Sequence, residues 1–144
     1  MENVNLYGNQ DTLFTAPLPL QEREQNGFRG PRENAPRLDT VQYYKNCTIR
    51  GNIDFIFGGA NAVFDTCRLE PWHHISGICY ITAPSTPAGK PGYLFVNCTV
   101  QGSCAPAASI WAALARGTRP ATAGLRVSDE VCADGWTTGR DPET

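Results

Sequence analysis

Residues 44–49, Tyr44-Lys45-Asn46-Cys47-Thr48-Ile49, set a pattern that returns twice, as Phe64-Asp65-Thr66-Cys67-Arg68-Leu69 and as Phe95-Val96-Asn97-Cys98-Thr99-Val100. Each copy has an aromatic residue, two further residues, a cysteine, one residue and an aliphatic residue. Successive cysteines are 20 and 31 residues apart. A strand motif that returns at such intervals predicts a solenoid of stacked β-strands. The alternative is that the copies are unrelated strands of a sandwich.

The three copies also predict a break inside the motif. In an extended strand, Cys47 and Ile49 share one face, whereas Tyr44 falls on the opposite face. We therefore expect a turn or bulge between the aromatic residue and the cysteine of each copy. Further strands are predicted at 52–57 and 80–82.

Composition narrows the class of protein. Of the 144 residues, 41% are hydrophobic and 18% charged, and 14 Gly with 11 Pro favour a turn-rich, strand-rich fold over a helix bundle. The net charge of −2 comes without a basic patch, so we expect no nucleic-acid partner. No apolar run approaches the ~20 residues that cross a bilayer, so we expect no membrane partner, and no signal peptide is visible. The six cysteines form no Cys-x-x-Cys pair, which argues against a zinc ribbon.

Two segments carry candidate chemistry, Gly8-Asn9-Gln10-Asp11-Thr12-Leu13-Phe14 and Gly51-Asn52-Ile53-Asp54-Phe55-Ile56-Phe57-Gly58. A carboxylate among apolar residues must be paired, have a raised pKa or perform chemistry. If Ile53, Phe55 and Phe57 face the core, Asp54 faces outward, where a groove can form. Taken alone, such an aspartate more often has a structural role than a functional one.

Together the two segments resemble the signature pair of the pectinesterases, also called pectin methylesterases. The resemblance extends over most of the chain, through the Asn-Cys coils, residues 92–95 and Asp134-Gly135-Trp136. It implies an all-β fold, a right-handed parallel β-helix, which agrees with the repeat. It also implies hydrolysis of the methyl ester on galacturonate units of pectin, without a metal or other cofactor.

The resemblance implies a role for each polar residue of the pair. Asp54 is the nucleophile that attacks the ester carbonyl. Asp11 is the general acid toward the leaving methanol and then the base that activates water, and Gln10 donates to the oxyanion. Two neighbouring carboxyls suit these split roles, since one can stay protonated while the other is ionised. Simple strand alternation would, however, aim Gln10 and Asp11 to opposite sides, so the backbone there must depart from a plain strand.

Further positions are assigned to substrate binding by the same resemblance. Phe14, Phe57 and Trp136 align with aromatic residues along the sugar cleft, although the parity of Phe57 also allows core packing. The Leu-Gly-Arg-Pro-Trp motif of the family is absent, and Arg116 is the candidate for its arginine. We interpret residues 107–128 as divergent, and our hypothesis is a one-base slip of the reading frame after Pro106.

The chain is interpreted as one partial pectinesterase β-helix over 1–144, incomplete at its N-terminal end, with a long polar loop over 21–39. We expect the 144-residue chain alone to be poorly active or inactive, and prone to associate. The partner is methyl-esterified homogalacturonan, and the family is secreted or faces the cell wall. The alternatives are a non-catalytic solenoid that binds pectin, or another β-helix enzyme such as a polygalacturonase or pectate lyase. A lyase would need clustered acidic residues for calcium, and none lies near Asp54 in the sequence.

Overall fold

The computed structural model describes residues 1–17, 38–72, 77–87, 89–104, 109–113, 121–127 and 136–137. Every regular element within these ranges is a strand. In chain order the strands are β1 (Asn5–Tyr7), β2 (Leu13–Phe14), β3 (Val41–Lys45), β4 (Thr48–Gly51), β5 (Ile56–Gly58), β6 (Asn61–Asp65), β7 (Arg68–Pro71), β8 (Cys79–Pro84), β9 (Tyr93–Val96), β10 (Thr99–Val100), β11 (Ser109–Ala113), β12 (Ala121–Ala123), β13 (Arg126–Val127) and β14 (Trp136–Thr137). The predicted all-β class is confirmed.

The strands form three parallel sheets, and each sheet takes every third strand. The first sheet has the order β1-β4-β7-β10-β13, the second β14-β11-β8-β5-β2, and the third β12-β9-β6-β3. The chain therefore passes from the third sheet to the first, then to the second, and back. Each circuit is one coil, and neighbouring coils are one strand spacing apart, about 4.8 Å. This is the predicted parallel β-helix, and the sandwich alternative is wrong.

The break predicted inside each repeat lies between the third and first sheets. Asn46, Thr66 and Asn97 adopt left-handed backbones, with φ of 51, 53 and 52°. Asparagine tolerates this conformation better than most residues because its short side chain can hydrogen-bond locally. Asn46 Nδ2 donates to Asn3 Oδ1 of the preceding coil over 2.6 Å. The bend turns both the aromatic residue and the cysteine of each repeat into the interior.

The core consists of rows of equivalent residues stacked from coil to coil. The ring of Phe64 stacks on Tyr44, with 4.8 Å between centroids, and on Phe95, with 4.6 Å. Aliphatic and cysteine rows complete the interior: Ile49, Leu69 and Val100, and Cys47, Cys67 and Cys98. Burial of three large rings in offset contact makes the aromatic row a major source of stability.

Within the described ranges, no disulfide bond is formed by Cys47, Cys67, Cys79, Cys98 or Cys104. The described residues contain no group of three or more His, Cys, Asp or Glu side chains that could hold a metal ion. Nor do they contain a helix long and apolar enough to cross a membrane.

Three further expectations from the sequence concern the strand at 52–57, the loop at 21–39 and the segment 107–128. The strand predicted over 52–57 is wrong in its extent: β4 ends at Gly51, and only Ile56 and Phe57 of the predicted range belong to β5. Residues 21–37 of the predicted polar loop lie outside the described residues. Residues 107–128, which the sequence analysis interprets as divergent, contribute one strand to each sheet, namely β11, β12 and β13.

Candidate functional site

The two signature segments form the bends between the first and second sheets on adjacent coils. We call residues 8–12 and 51–55 the carboxylate corner. Gln10 bridges to Ile53, and Leu13 pairs with Ile56, so the two bends are in register. The Asp11 N–H donates to the Ile53 carbonyl over 3.0 Å. Asp11 and Asp54 therefore occupy equivalent positions, one coil apart.

The backbone of the corner departs from a plain strand at both carboxylates. Asp11 has φ of 56° and Asp54 has φ of 47°, both in the left-handed region. Strand alternation is lost there, so Phe55 and Ile56 are both buried although they are neighbours in sequence. Gln10 and Asp11 are both exposed for the same reason. The structure thus removes the conflict that simple alternation predicted for these two side chains.

Each segment begins with glycine because the bend folds back on its own chain. A Cβ on Gly51 would lie 2.2 Å from Phe55 Cβ and 2.7 Å from the Asn9 carbonyl oxygen. On the preceding coil, a Cβ on Gly8 would lie 2.6 Å from Thr12 Oγ1. That hydroxyl donates to the Arg50 carbonyl over 3.0 Å and ties the two bends together. The bend therefore requires a glycine three residues before each aspartate, at Gly8 and at Gly51.

The two carboxyl groups have different surroundings. Asp54 is half-buried, and its Oδ1 atom is buried. Asp11 is more exposed, but partial desolvation at the corner raises the pKa of its carboxyl. A carboxyl that keeps its proton more readily, next to a second carboxyl one coil away, can act as an acid while its neighbour attacks. Gln10 adds an exposed amide at the same corner.

An aromatic pair follows directly after the corner. The rings of Phe14 and Phe57 stack with 4.8 Å between centroids, and 43% of Phe14 remains exposed. Phe57 is half-buried, so the pair presents an aromatic surface instead of joining the core. Buried Thr15 anchors the pair from below, since its hydroxyl donates to the Phe57 carbonyl over 3.0 Å and lies 2.7 Å from the Tyr93 hydroxyl.

The remaining predicted residues are less completely described. Trp136 pairs with Ala112 in the second sheet, which places its backbone in the row of Ile56 and Thr82. The row of Phe14 and Phe57 is the neighbouring one, which continues through Ala83. Arg116 lies outside the described residues.

Two residues next to the candidate site, Tyr80 and Tyr93, were not predicted from the sequence to lie there. The Phe55 N–H donates to the Tyr80 carbonyl over 3.4 Å, which places half-buried Tyr80 in the register position of Asp54 on the next coil. Tyr93 supports the Phe57 backbone through Thr15 and also donates to the Gly58 carbonyl over 3.0 Å. Neither is signalled locally, because coil lengths differ and register cannot be read from spacing.

Comparisons of the sequence with a family profile and with curated proteins both match pectinesterases. The sequence profile of the pectinesterase family matches residues 37–120. Pectinesterase A of Emericella nidulans is 36% identical over 152 aligned positions, which cover 96% of this chain and 45% of that protein. A pectinesterase of Ralstonia nicotianae is 37% identical over 112, which cover 74% of this chain and 24% of that protein.

The fold has a solved counterpart. The crystal structure of the pectin methylesterase from Aspergillus niger superposes with a TM-score of 0.67 at 25% identity, covering 96% of this chain and 40% of that one. The chain also spans about a third of the length of the plant relatives that it matches in Arabidopsis thaliana, 35% of one and 31% of another.

Proposed function

This chain belongs to the pectinesterase family, and we propose that its carboxylate corner hydrolyses methyl esters of galacturonate units in pectin. One observation carries the proposal. Asp11 and Asp54 stand in equivalent positions on adjacent coils, and the left-handed backbone at each frees both from strand alternation. Two carboxyls that extend from equivalent positions on adjacent coils suit a nucleophile and an acid–base partner.

In the first step, the Asp54 carboxylate attacks the ester carbonyl and forms a tetrahedral intermediate. The Gln10 amide N–H donates to the developing oxyanion, an interaction that is stronger in the transition state than in the substrate. The Asp11 carboxyl donates its proton to the leaving oxygen, so that methanol departs and an acyl group remains on Asp54. Desolvation of Asp11, which raises its pKa, favours this protonated starting state.

In the second step, the Asp11 carboxylate takes a proton from water, and the water oxygen attacks the acyl carbon. Breakdown of this intermediate releases galacturonate and returns Asp54 as a carboxylate and Asp11 as an acid. The stacked rings of Phe14 and Phe57 offer an aromatic surface beside the corner, which suits the C–H face of a pyranose. By the family resemblance, Trp136 and Arg116 complete the substrate site, and the chain is secreted or faces the cell wall.

The direct test is methanol release from highly methyl-esterified pectin by the 144-residue chain at high protein concentration. We expect one new carboxyl group for each methanol, and no double-bond absorbance of the kind a lyase would produce. The blank is the double variant D11N/D54N. Methanol release no faster than this blank would overturn the proposal for this chain.

A further inference from the structure

A groove of about 290 Å³ lies on the outer face of the first sheet. Its lining comes from successive coils: Arg50 in β4, Arg68 and Glu70 in β7, Trp72 just after β7, and Gln101 and Ser103 after β10. Glu70 pairs in register with Arg50, so the groove runs across the strands along the stack of coils. It is separate from the Phe14–Phe57 surface, which belongs to the second sheet.

The groove carries two cations around one anion. Arg50 donates to Glu70 Oε2 from Nε over 2.9 Å and from Nη2 over 2.8 Å. Arg68 donates from Nε to Glu70 Oε1 over 2.6 Å. Each guanidinium has five N–H donors, so a single carboxylate cannot satisfy both. Among the described lining residues, the charged groups therefore leave a net positive charge and surplus donors.

The anion of this cluster is largely buried, whereas its two cations are partly exposed. The Glu70 side chain is only 13% exposed, whereas Arg50 and Arg68 are 43% and 52% exposed. Glu70 thus holds the two guanidinium groups in place, and both arginine side chains stay partly exposed, with N–H donors that Glu70 does not use. Pre-oriented guanidinium groups of this kind bind carboxylates strongly, because two parallel N–H donors match two oxygens.

Aromatic rings flank the cations. Trp72 is 41% exposed at the edge of the groove, and Tyr7 of the preceding coil lies with its ring centroid 4.6 Å from Arg50 Cζ. A flat apolar face next to guanidinium groups matches a ligand that carries both a C–H surface and a carboxylate. An acidic sugar has both features, whereas a neutral sugar lacks the carboxylate and a simple anion lacks the C–H surface.

The groove adjoins the carboxylate corner through the backbone. Arg50 and Asp54 lie on the same coil, and the Trp72 N–H donates to the Gly51 carbonyl over 3.1 Å. We propose that this groove is a second binding site that takes an unesterified galacturonate unit, with its carboxylate on Arg50 and Arg68 and its ring against Trp72. The choice of polymer rests on the proposed function. Ester hydrolysis creates the carboxylate that the groove would bind.

The test is calorimetric titration of the full 144-residue chain with trigalacturonate and with its fully methyl-esterified form at low ionic strength. We expect the unesterified trimer to bind roughly tenfold more tightly, since a lost charge-assisted contact costs about this factor. Arg68→Gln and Trp72→Ala should each weaken its binding about tenfold. Trp72→Ala leaves the ion cluster intact, so it guards against a folding defect in Arg68→Gln. The matched control is Arg126→Gln, an exposed arginine of the same sheet outside the groove, which should leave binding unchanged.

Equal affinity for the two trimers, no binding of either, or unchanged affinity in both groove variants would overturn the proposal. Methanol release measured on the same samples separates it from the esterase function. Groove-dependent binding without methanol release would support the groove and count against the esterase. Methanol release with affinity unchanged in both groove variants would support the esterase function and count against the groove as a binding site. Asp54→Asn should retain groove binding of the unesterified trimer.

Discussion

Asp11 and Asp54 occupy equivalent positions on adjacent coils, and each adopts a left-handed backbone, with φ of 56 and 47°. Their proximity comes from stacking of the coils and not from closeness in sequence. The residues between them can therefore vary in length without changing the register of the corner. This explains how a chain with a long segment between β2 and β3 keeps the paired carboxyls of the family motif.

Replacing Asp54 by asparagine should abolish methanol release from methyl-esterified pectin, because an amide cannot act as the nucleophile. Asparagine tolerates the left-handed backbone at this position, so the variant should remain folded. The matched control is Asp65→Asn on the third sheet, which removes a carboxylate away from the corner and should keep parental turnover. Turnover by Asp54→Asn close to that of the parent would contradict the assignment.

Replacing Asp11 by asparagine should slow methanol release by about 10²–10⁴-fold, the usual contribution of a general acid–base group. The loss should fall mainly on kcat, since Asp11 acts on the leaving group and on water. Steady-state kinetics with a methyl-esterified oligogalacturonate would measure it. An unchanged kcat would remove Asp11 from the reaction.

The sequence predicted the corner only in part. The bend before each cysteine followed from parity, because three copies of the motif required Tyr44 and Cys47 to share the interior. The bend at Asp54 could not be predicted in this way, because Ile53-Asp54-Phe55-Ile56-Phe57 has the apolar content of a buried strand. Its left-handed residue is stabilised by the preceding coil, through contacts such as the Asn52 N–H to the Asn9 carbonyl over 2.8 Å. Long-range stacking overrides local propensity there.

The groove on the first sheet was also missed, although a signal for it exists. Arg50, Glu70 and Gln101 each follow the aliphatic residue of a repeat copy, so the motif places all three in one outward row. Extending the repeat alignment by the residue after each aliphatic position would have predicted a line of polar side chains across the coils. The ion cluster of Arg50, Arg68 and Glu70 depends on side-chain rotamers, which the sequence does not specify.

The pKa of Asp11 predicts how its replacement changes stability with pH. Desolvation raises that pKa, so the fold favours the protonated carboxyl, and the parent loses stability as pH rises through the folded pKa. Asp11→Asn has no such loss. Its stability relative to the parent should therefore increase between about pH 3 and pH 7. Urea unfolding followed by circular dichroism across this range would measure the trend.

Asp39 provides a control of opposite sign. A hydrogen bond from Lys90 lowers the pKa of its carboxyl, so the fold favours the ionised form. That contribution is present above the unfolded pKa and is lost as pH falls through the folded pKa. Asp39→Asn should therefore lose stability relative to the parent as pH rises. Trends of the same sign in both variants would contradict this account of the two carboxyls.

The aromatic row predicts the largest single loss of stability. Phe64 is fully buried between the rings of Tyr44 and Phe95, so Phe64→Ala should cost about 3–5 kcal/mol of the free energy of unfolding. Val41→Ala in the same sheet, at an 82% exposed position, should cost no more than about 0.5 kcal/mol. Equal losses in the two variants would mean that the row is not a continuous core.

The Phe14–Phe57 pair predicts a separation of binding from chemistry. Phe14 is 43% exposed and stacks on Phe57, so Phe14→Ala removes the outer ring of the aromatic surface without opening the core. An aromatic contact is worth about 0.5–1.5 kcal/mol, so KM for a methyl-esterified oligogalacturonate should rise about 2- to 12-fold. The kcat should change little, because Phe14 touches neither carboxyl in the proposed mechanism and binds ground state and transition state alike. The control is Tyr43→Ala, which removes a 48% exposed ring from the third sheet and should leave both constants unchanged. A fall in kcat at constant KM would instead mean that Phe14 acts by holding the corner in shape.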